Sequence, residues 1–305
     1  MWEAVERFHA ITYFAPQVRE AATAAGLKGF WMNYFATRAA PMGPVPAEVV
    51  ESTFFYYGPA RVRRAIPDAW RFSTPEQILR ARYDGIDQCL RSTYRADQTP
   101  DAAASPHPGP GPRPSPEFVL DPASAAIMTE AADIARRAVE AADPMARTLF
   151  AGWLSLPWPD ADAPHVQLWH ACTLLRELRS GNHLIALAAE GLSGCEAVVS
   201  HVAAGGAPRA WIRDEAGWNP DDEAHAVDRL RRRGWLDIDG RITEAGRAGR
   251  QRIESLTDRL DLPVWEAVGE ADAGHLFRLL SQLDAALPPD DQLDWEHHYP
   301  TETVA

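Results

Sequence analysis

A chain of 305 residues with 46% hydrophobic content and 11 Trp holds enough apolar material for a sizeable core, and room for two domains, which excludes a disordered protein. Its formal net charge of −13 disfavours non-specific attraction to nucleic acid or to an anionic membrane. Cys89, Cys172 and Cys195 are too far apart for a disulfide framework or a zinc site and suit a reducing cytoplasm; the polar N-terminus reads as no signal peptide, and no apolar run approaches the ~18 residues of a membrane span.

Helical periodicity dominates from the start, so the expected class is mostly α. Residues 2–14 read as a first helix; Pro16 opens a second that ends at Gly26, and a third over 30–39 is stopped by Pro41 and Gly43. Residues 46–57 read as an apolar helix ending in Phe54, Phe55, Tyr56 and Tyr57. Thr74-Pro75-Glu76 is a start signal for a helix to about residue 94, which closes an N-terminal helical region over 1–96. The stretch 97–117 alternates proline with glycine and small polar residues, and reads as a linker or exposed loop. Asp121-Pro122 then starts a helix to about 142, and Pro164 another to about 190, so 118–190 forms a second helical segment packing on the first.

The pattern changes within 214–252. A short helix ends near Gly217; Asn219 caps the next, with Pro220 at its first position and Asp221, Asp222 and Glu223 in its first turn, and Gly234 closes it. Strand-like pieces at 235–238 and 241–242 flank Asp239-Gly240, a hairpin signal, and Thr243 caps a further helix. That is the order of a helix-turn-helix followed by a short two-stranded wing. A winged helix-turn-helix domain is therefore expected over 191–262. An amphipathic C-terminal helix over 263–287 should follow, packing on the body or on a second copy in a homodimer, and then a loose acidic tail over 288–305.

Leu230-Arg231-Arg232-Arg233-Gly234-Trp235-Leu236 and Ile242-Thr243-Glu244-Ala245-Gly246-Arg247 resemble the LxxRGLL and LTExGR runs of MarR-type winged-helix domains. Three further motifs lie outside that domain: residues 9–14 (HAITYF), 34–43 (YFATRAAPMG) and 168–177 (LWHACTLLRE), the last running on to His183. With them the whole chain resembles a family of actinobacterial proteins classed by their helix-turn-helix region. The resemblance implies an architecture and, in its MarR-type part, a recognition helix on DNA. The residues themselves oppose that use. Carboxylates crowd the helix start that would enter the groove, with nothing nearby in sequence to neutralise them, and 190–262 carries 14 Asp/Glu against 11 Arg. Arg229, Arg231, Arg232 and Arg233, with Arg241 at the wing tip, are the candidate phosphate contacts; at a helix C-terminus such cations also complement the helix dipole.

The helix from Pro164 carries the best constellation for a small molecule. His165, Trp169, Cys172, Arg176, Arg179 and His183 share one stripe at helical spacing, and guanidinium forks match carboxylate or phosphate. His9, with Tyr13, and Arg38, with Tyr34 just before the Pro41 break, are the remaining candidates. His9, Tyr13, Arg38, Arg176 and His183 line one cavity if the two proline-rich loops face each other. No metal or cofactor motif is present. The expected function is a small-molecule-binding protein on a winged-helix scaffold with weak or absent DNA binding. Its ligand, anionic or carbonyl-bearing, is held by His9, Tyr13, Tyr34, Arg38, Trp169, Arg176, Arg179 and His183. The rivals are a MarR-like ligand-responsive regulator, and an enzyme of specialised metabolism using His9 and His183 for proton transfer.

Overall fold

The computed structural model describes residues 1–96 and 118–288; the proline-rich stretch 97–117 and the acidic tail from 289 onward lie outside the described residues. The helices are α1 (Trp2–Phe14), α2 (Pro16–Ala24), α3 (Gly29–Ala39), α4 (Ala47–Thr53), α5 (Pro59–Ala65), α6 (Ala69–Phe72) and α7 (Pro75–Thr93), then α8 (Pro122–Glu140), α9 (Thr148–Leu154) and α10 (Pro164–Ala189). After these come α11 (Gly194–Ala203), α12 (Trp211–Asp214), α13 (Pro220–Arg232), α14 (Glu244–Val268) and α15 (Glu270–Asp284). The start signals act as read. Thr74 and Gln77 close a capping box on α7, the Asp121 carboxylate accepts from the Ser124 amide at 2.8 Å at the head of α8, and Asn219 accepts from the Asp222 amide at 2.8 Å on α13. The apolar run 46–57 is helical only to Thr53; its aromatic end is a strap, residues 54–58, discussed below.

Two apolar cores form. The larger gathers α1–α10 and α15 around Phe8, Phe35, Ile78, Met128, Phe150, Trp153 and Trp169. The smaller packs α11, α12 and α13 around Val198, Ile212, Ala226, Leu230 and Trp235. Two long helices belong to both. In α10, Leu168–Leu178 lie in the larger core and Ala186 and Leu187 in the smaller; in α14, Ile253 lies in the smaller and Val264 and Val268 in the larger. α14 runs straight through Pro263, where the sequence suggests a new helix start, and ends at Gly269, whose φ of +86° no L side chain adopts readily.

The expected two-stranded wing does not form; the fold is all-helical over the described residues, and the mostly-α class stands. Between α13 and α14 only Leu236 and Ile242 make an antiparallel bridge. The reason is local. The Asp237 carboxylate accepts from the backbone amides of Asp239 (2.9 Å) and Arg241 (2.8 Å), curling 237–241 into a turn too short for a ladder. Arg231 then donates to the carbonyls of Asp237 (3.2 Å) and Ile238 (2.8 Å), which consumes acceptors a strand partner would use. The Gly of the TExGR run serves close packing: a Cβ on Gly246 would sit 2.4 Å from the Trp235 carbonyl oxygen.

The strap joins body to helix-turn-helix. The Gly58 amide donates to the Ala216 carbonyl at 2.7 Å, and Trp218 Nε1 to the Tyr56 carbonyl at 2.8 Å. Gly194 at the head of α11 lies so close to the Phe55 carbonyl that an added Cβ would stand 2.0 Å from its oxygen. Arg61, at the start of α5, donates to the Asp214 carbonyl at 2.8 Å.

Candidate ligand cavity at the junction with the helix-turn-helix

The strap, α10 and the helix-turn-helix enclose a cavity of about 420 Å³. That is within the range for small-molecule sites. The body contributes Trp2, Tyr34, Arg38, Phe54, Tyr56 and Tyr57; α10 contributes Arg176, Arg179, Ser180 and His183; α11, α12 and α14 contribute His201, Trp211, Arg250 and Glu254. An adjoining cavity of about 560 Å³ shares Trp2, Tyr34, Tyr57, Arg176 and Trp211 and adds Tyr13 and Glu6. A third hollow of about 310 Å³, beside Leu175, Leu178 and Val264, is mainly apolar, and its charged groups, Arg179, Asp258 and Asp261, are paired with one another.

Four arginines face the junction cavity, and most of their acids lie behind them. Arg38 Nη2 meets both Glu177 oxygens at 2.9 Å, and Arg176 Nη1 meets them at 3.1 and 3.2 Å. Arg176 Nε also reaches Glu6 at 3.3 Å. Glu177 is fully buried, yet the two guanidiniums hold its carboxyl below the usual range against desolvation, the largest effect acting on it. Arg179 pairs with Asp258 at 3.0 Å and with Asp261, whose other oxygen takes Asn182 Nδ2 at 2.6 Å. Arg250 reaches His201 Nδ1 at 3.3 Å and Glu254 at 3.4 Å. Tyr34 OH, on the wall, accepts from Arg38 and from Tyr57 OH at 3.0 Å.

His183 is held by ring contacts and one bond. Its ring lies 6.2 Å from that of Tyr56 at 30°, and its Nδ1 is 3.0 Å from Thr257 Oγ1. Thr257 donates its own hydrogen to the Ile253 carbonyl at 2.9 Å, so it accepts from His183 Nδ1–H. Burial, then Arg250, Arg179 and His201, push the His183 pKa down to about 4, and the ring is neutral at neutral pH.

The structure divides the residues singled out from the sequence. Tyr34, Arg38, Arg176, Arg179 and His183 meet in the junction cavity, and Tyr13 lines the adjoining one. His9 and Trp169 are packed in the larger core: the rings stack at 6.2 Å and 8°, His9 Nδ1 lies 3.0 Å from Thr173 Oγ1, and Nε2 lies 2.9 Å from Tyr13 OH. The α10 stripe thus enters the core at His165, Trp169 and Cys172 and emerges into the cavity at Arg176, Arg179 and His183. Sequence reasoning missed Tyr56, Tyr57, His201, Trp211 and Arg250, which come from distant elements. It also missed Arg82, which is fully buried on α7, donates to Thr37 Oγ1 at 2.7 Å, and faces the rings of Trp153 and Trp169 at 5.3 Å. Its signal was legible: Arg82 sits in the stripe Ile78, Arg82, Ile86, Leu90, where a core residue belongs.

The helix-turn-helix surface also differs from its sequence reading. Glu223, expected to stand exposed and unneutralised beside Asp221 and Asp222, is turned inward and buried. It accepts from Arg209 at 2.8 Å and Arg213 at 2.7 Å, both supplied from before the turn. The outer face of α13 is then Asp221, Ala224, His225, Asp228 and Arg232. Of the arginine cluster, Arg229 pairs with Glu196 at 3.2 Å, Arg231 holds the 237–238 carbonyls, Arg233 closes the end of α10 at the Gly191 carbonyl (3.2 Å), and Arg241 pairs with Asp239 at 2.7 Å. Among the described residues no group of three or more His, Cys, Asp or Glu is placed to hold a metal ion, and no single helix is long and apolar enough to cross a membrane.

The fold thus sets a short helix-turn-helix on a larger helical body. A family model described as a helix-turn-helix family matches residues 1–106 and 117–293, nearly the whole chain, and the protein belongs to that family. No curated protein and no solved structure matches it.

Proposed function

We propose that this helix-turn-helix family protein binds a small anionic or carbonyl-bearing molecule in the junction cavity. The observation that carries the reading is the lining itself: Arg38, Arg176, Arg179 and Arg250 converge with His183 and the aromatic walls Trp2, Tyr34, Tyr56, Tyr57 and Trp211 on one space of about 420 Å³. Aromatic walls give contact area, and the guanidinium forks fix an anion. Trp2 and Trp211 make the site its own reporter. A screen of aromatic and aliphatic carboxylates and phosphates by tryptophan fluorescence and thermal shift should return binders. Arg250→Met, which removes a guanidinium that hydrogen-bonds to Glu254 and His201 among the described residues, should weaken them roughly tenfold or more, as loss of a charged hydrogen bond does. A screen that moves neither signal sinks the proposal.

A second reading is a ligand-responsive regulator of the kind the MarR-type resemblance implies. Family membership favours it, as does the strap: Tyr56 and Tyr57 line the cavity while Tyr56, Gly58 and Phe55 hold the helix-turn-helix. Against DNA contact through α13 stand Asp221 and Asp228 on its outer face. An electrophoretic shift with genomic fragments at low salt separates the two. A shift abolished by Arg232→Ala and relieved by a cavity ligand establishes the regulator.

A further inference from the structure

We infer that the ligand is an anion that also carries an O–H or N–H donor, and that His183 Nε2 receives that donor. The inference rests on the cavity being a ligand site and deepens it. His183 Nδ1 is 3.0 Å from Thr257 Oγ1, whose hydrogen is committed to the Ile253 carbonyl at 2.9 Å. The imidazole hydrogen therefore sits on Nδ1, and what the ring offers the cavity is the lone pair of Nε2. A neutral imidazole in this tautomer accepts and does not donate. It discriminates between a hydroxyl and its methyl ether, because the ether leaves a buried acceptor unpaired.

The distance between the two recognition points follows from one helix. Arg176 and His183 are seven residues apart on α10, two turns, or roughly 10 Å at 1.5 Å per residue. Arg179 shortens the span, and Arg250 faces the same space from α14. The walls between them are aromatic. A planar skeleton of about two fused rings, acidic at one end and hydroxylated or aminated at the other, has that length.

The probes are a naphthoate with a hydroxyl on the ring distal to its carboxylate, the corresponding methyl ether, and the unsubstituted naphthoate, titrated by calorimetry against the full chain. The hydroxylated acid should bind about five- to tenfold more tightly than the other two. His183→Phe should bring the three to parity. Thr257→Val keeps the ring and frees its tautomer, so the preference should also fall toward parity there; a purely steric role for His183 predicts no change. Equal binding of the three acids to the unmodified protein overturns the inference and leaves the cavity reading standing. A hydroxyl preference that survives both substitutions also overturns it, by placing the acceptor elsewhere. Binding of none of them by the folded chain overturns the inference, while the cavity reading is decided by the wider screen of carboxylates and phosphates.

Discussion

His9 and His183 are built alike and used differently. Each sets Nδ1 3.0 Å from a threonine hydroxyl, and each threonine donates to the carbonyl four residues back on its own helix, Thr173 to Trp169 and Thr257 to Ile253, both at 2.9 Å. That bond places a hydrogen on each Nδ1, and burial, which lowers both pKa values, keeps both rings neutral with an accepting Nε2. At His9 that lone pair is taken by Tyr13 OH at 2.9 Å, and the whole unit is sealed beneath Trp169. His183, in contrast, lines the junction cavity. The same hydrogen-bond device serves as a closed core network in the body and, on the function proposed above, as an open recognition point beside the helix-turn-helix. What separates the two is the supply of a local donor, not the histidine.

The charged layer around Glu177 lies between those two sites, and removing it is the strongest way to break the contrast. Glu177→Gln leaves Arg38 and Arg176 buried against a neutral amide. Loss of one partner of a buried pair costs about 3–5 kcal/mol, which should appear as a lower midpoint in urea denaturation with the slope unchanged. Next in size is the comparison of the two histidines. His9→Ala opens a void and removes one partner of Tyr13 OH, and should cost about 3 kcal/mol. His183→Ala removes a part-buried ring already beside open space, and should cost about 1 kcal/mol while abolishing the hydroxyl preference proposed above. Equal losses of stability at the two positions contradict the division into sealed and open sites. In the helix-turn-helix, Gly249→Ala drives a methyl to within 2.1 Å of the Trp235 ring, and should cost about 1–3 kcal/mol without touching either histidine.

Much of this arrangement was legible in the residues, and what was not has a common cause. Helical spacing alone placed Arg176, Arg179 and His183 on one face, because that is a property of a single helix. It did not show that the face changes environment partway, from the Trp169 core to the cavity, since that depends on where α1, α7 and α9 stop covering α10. Arg250, His201 and Trp211 reach the site only through the packing of α11, α12 and α14, which no local pattern encodes. The acids of α13 teach the same lesson: Glu223 looked exposed because its partners, Arg209 and Arg213, precede it across a turn. The wing was misread for a local reason. Asp239-Gly240 signals a hairpin, but the Asp237 carboxylate takes the amides that would have joined its strands.

Acid titration gives the smallest effect and tests what the two histidines share. Both have folded pKa values below the ordinary 6.5, so each favours folding fully only above that value, where folded and unfolded rings are both neutral. As pH falls below 6.5 the unfolded chain binds protons that the folded chain refuses, and stability drops, by at most about 1.4 kcal/mol per pH unit for each histidine. The share of His183 levels off near its folded value of about 4, set by burial and then by Arg250 and Arg179 against Asp258, with His201, Tyr56 and Glu254 packed around it. Burial, and after it Arg176, Arg82 and Arg38, also hold the His9 pKa well below 6.5, so that ring too refuses protons the unfolded chain takes up. Stability of His183→Phe measured from pH 7 to pH 3 should therefore fall less steeply than that of the parent between about pH 6.5 and about pH 4 and run parallel to it below, and His9→Ala should likewise fall less steeply than the parent below about pH 6.5. Curves for both variants that run parallel to that of the parent from about pH 7 to about pH 4 would mean that neither ring is held neutral by its surroundings, and the shared device would be lost.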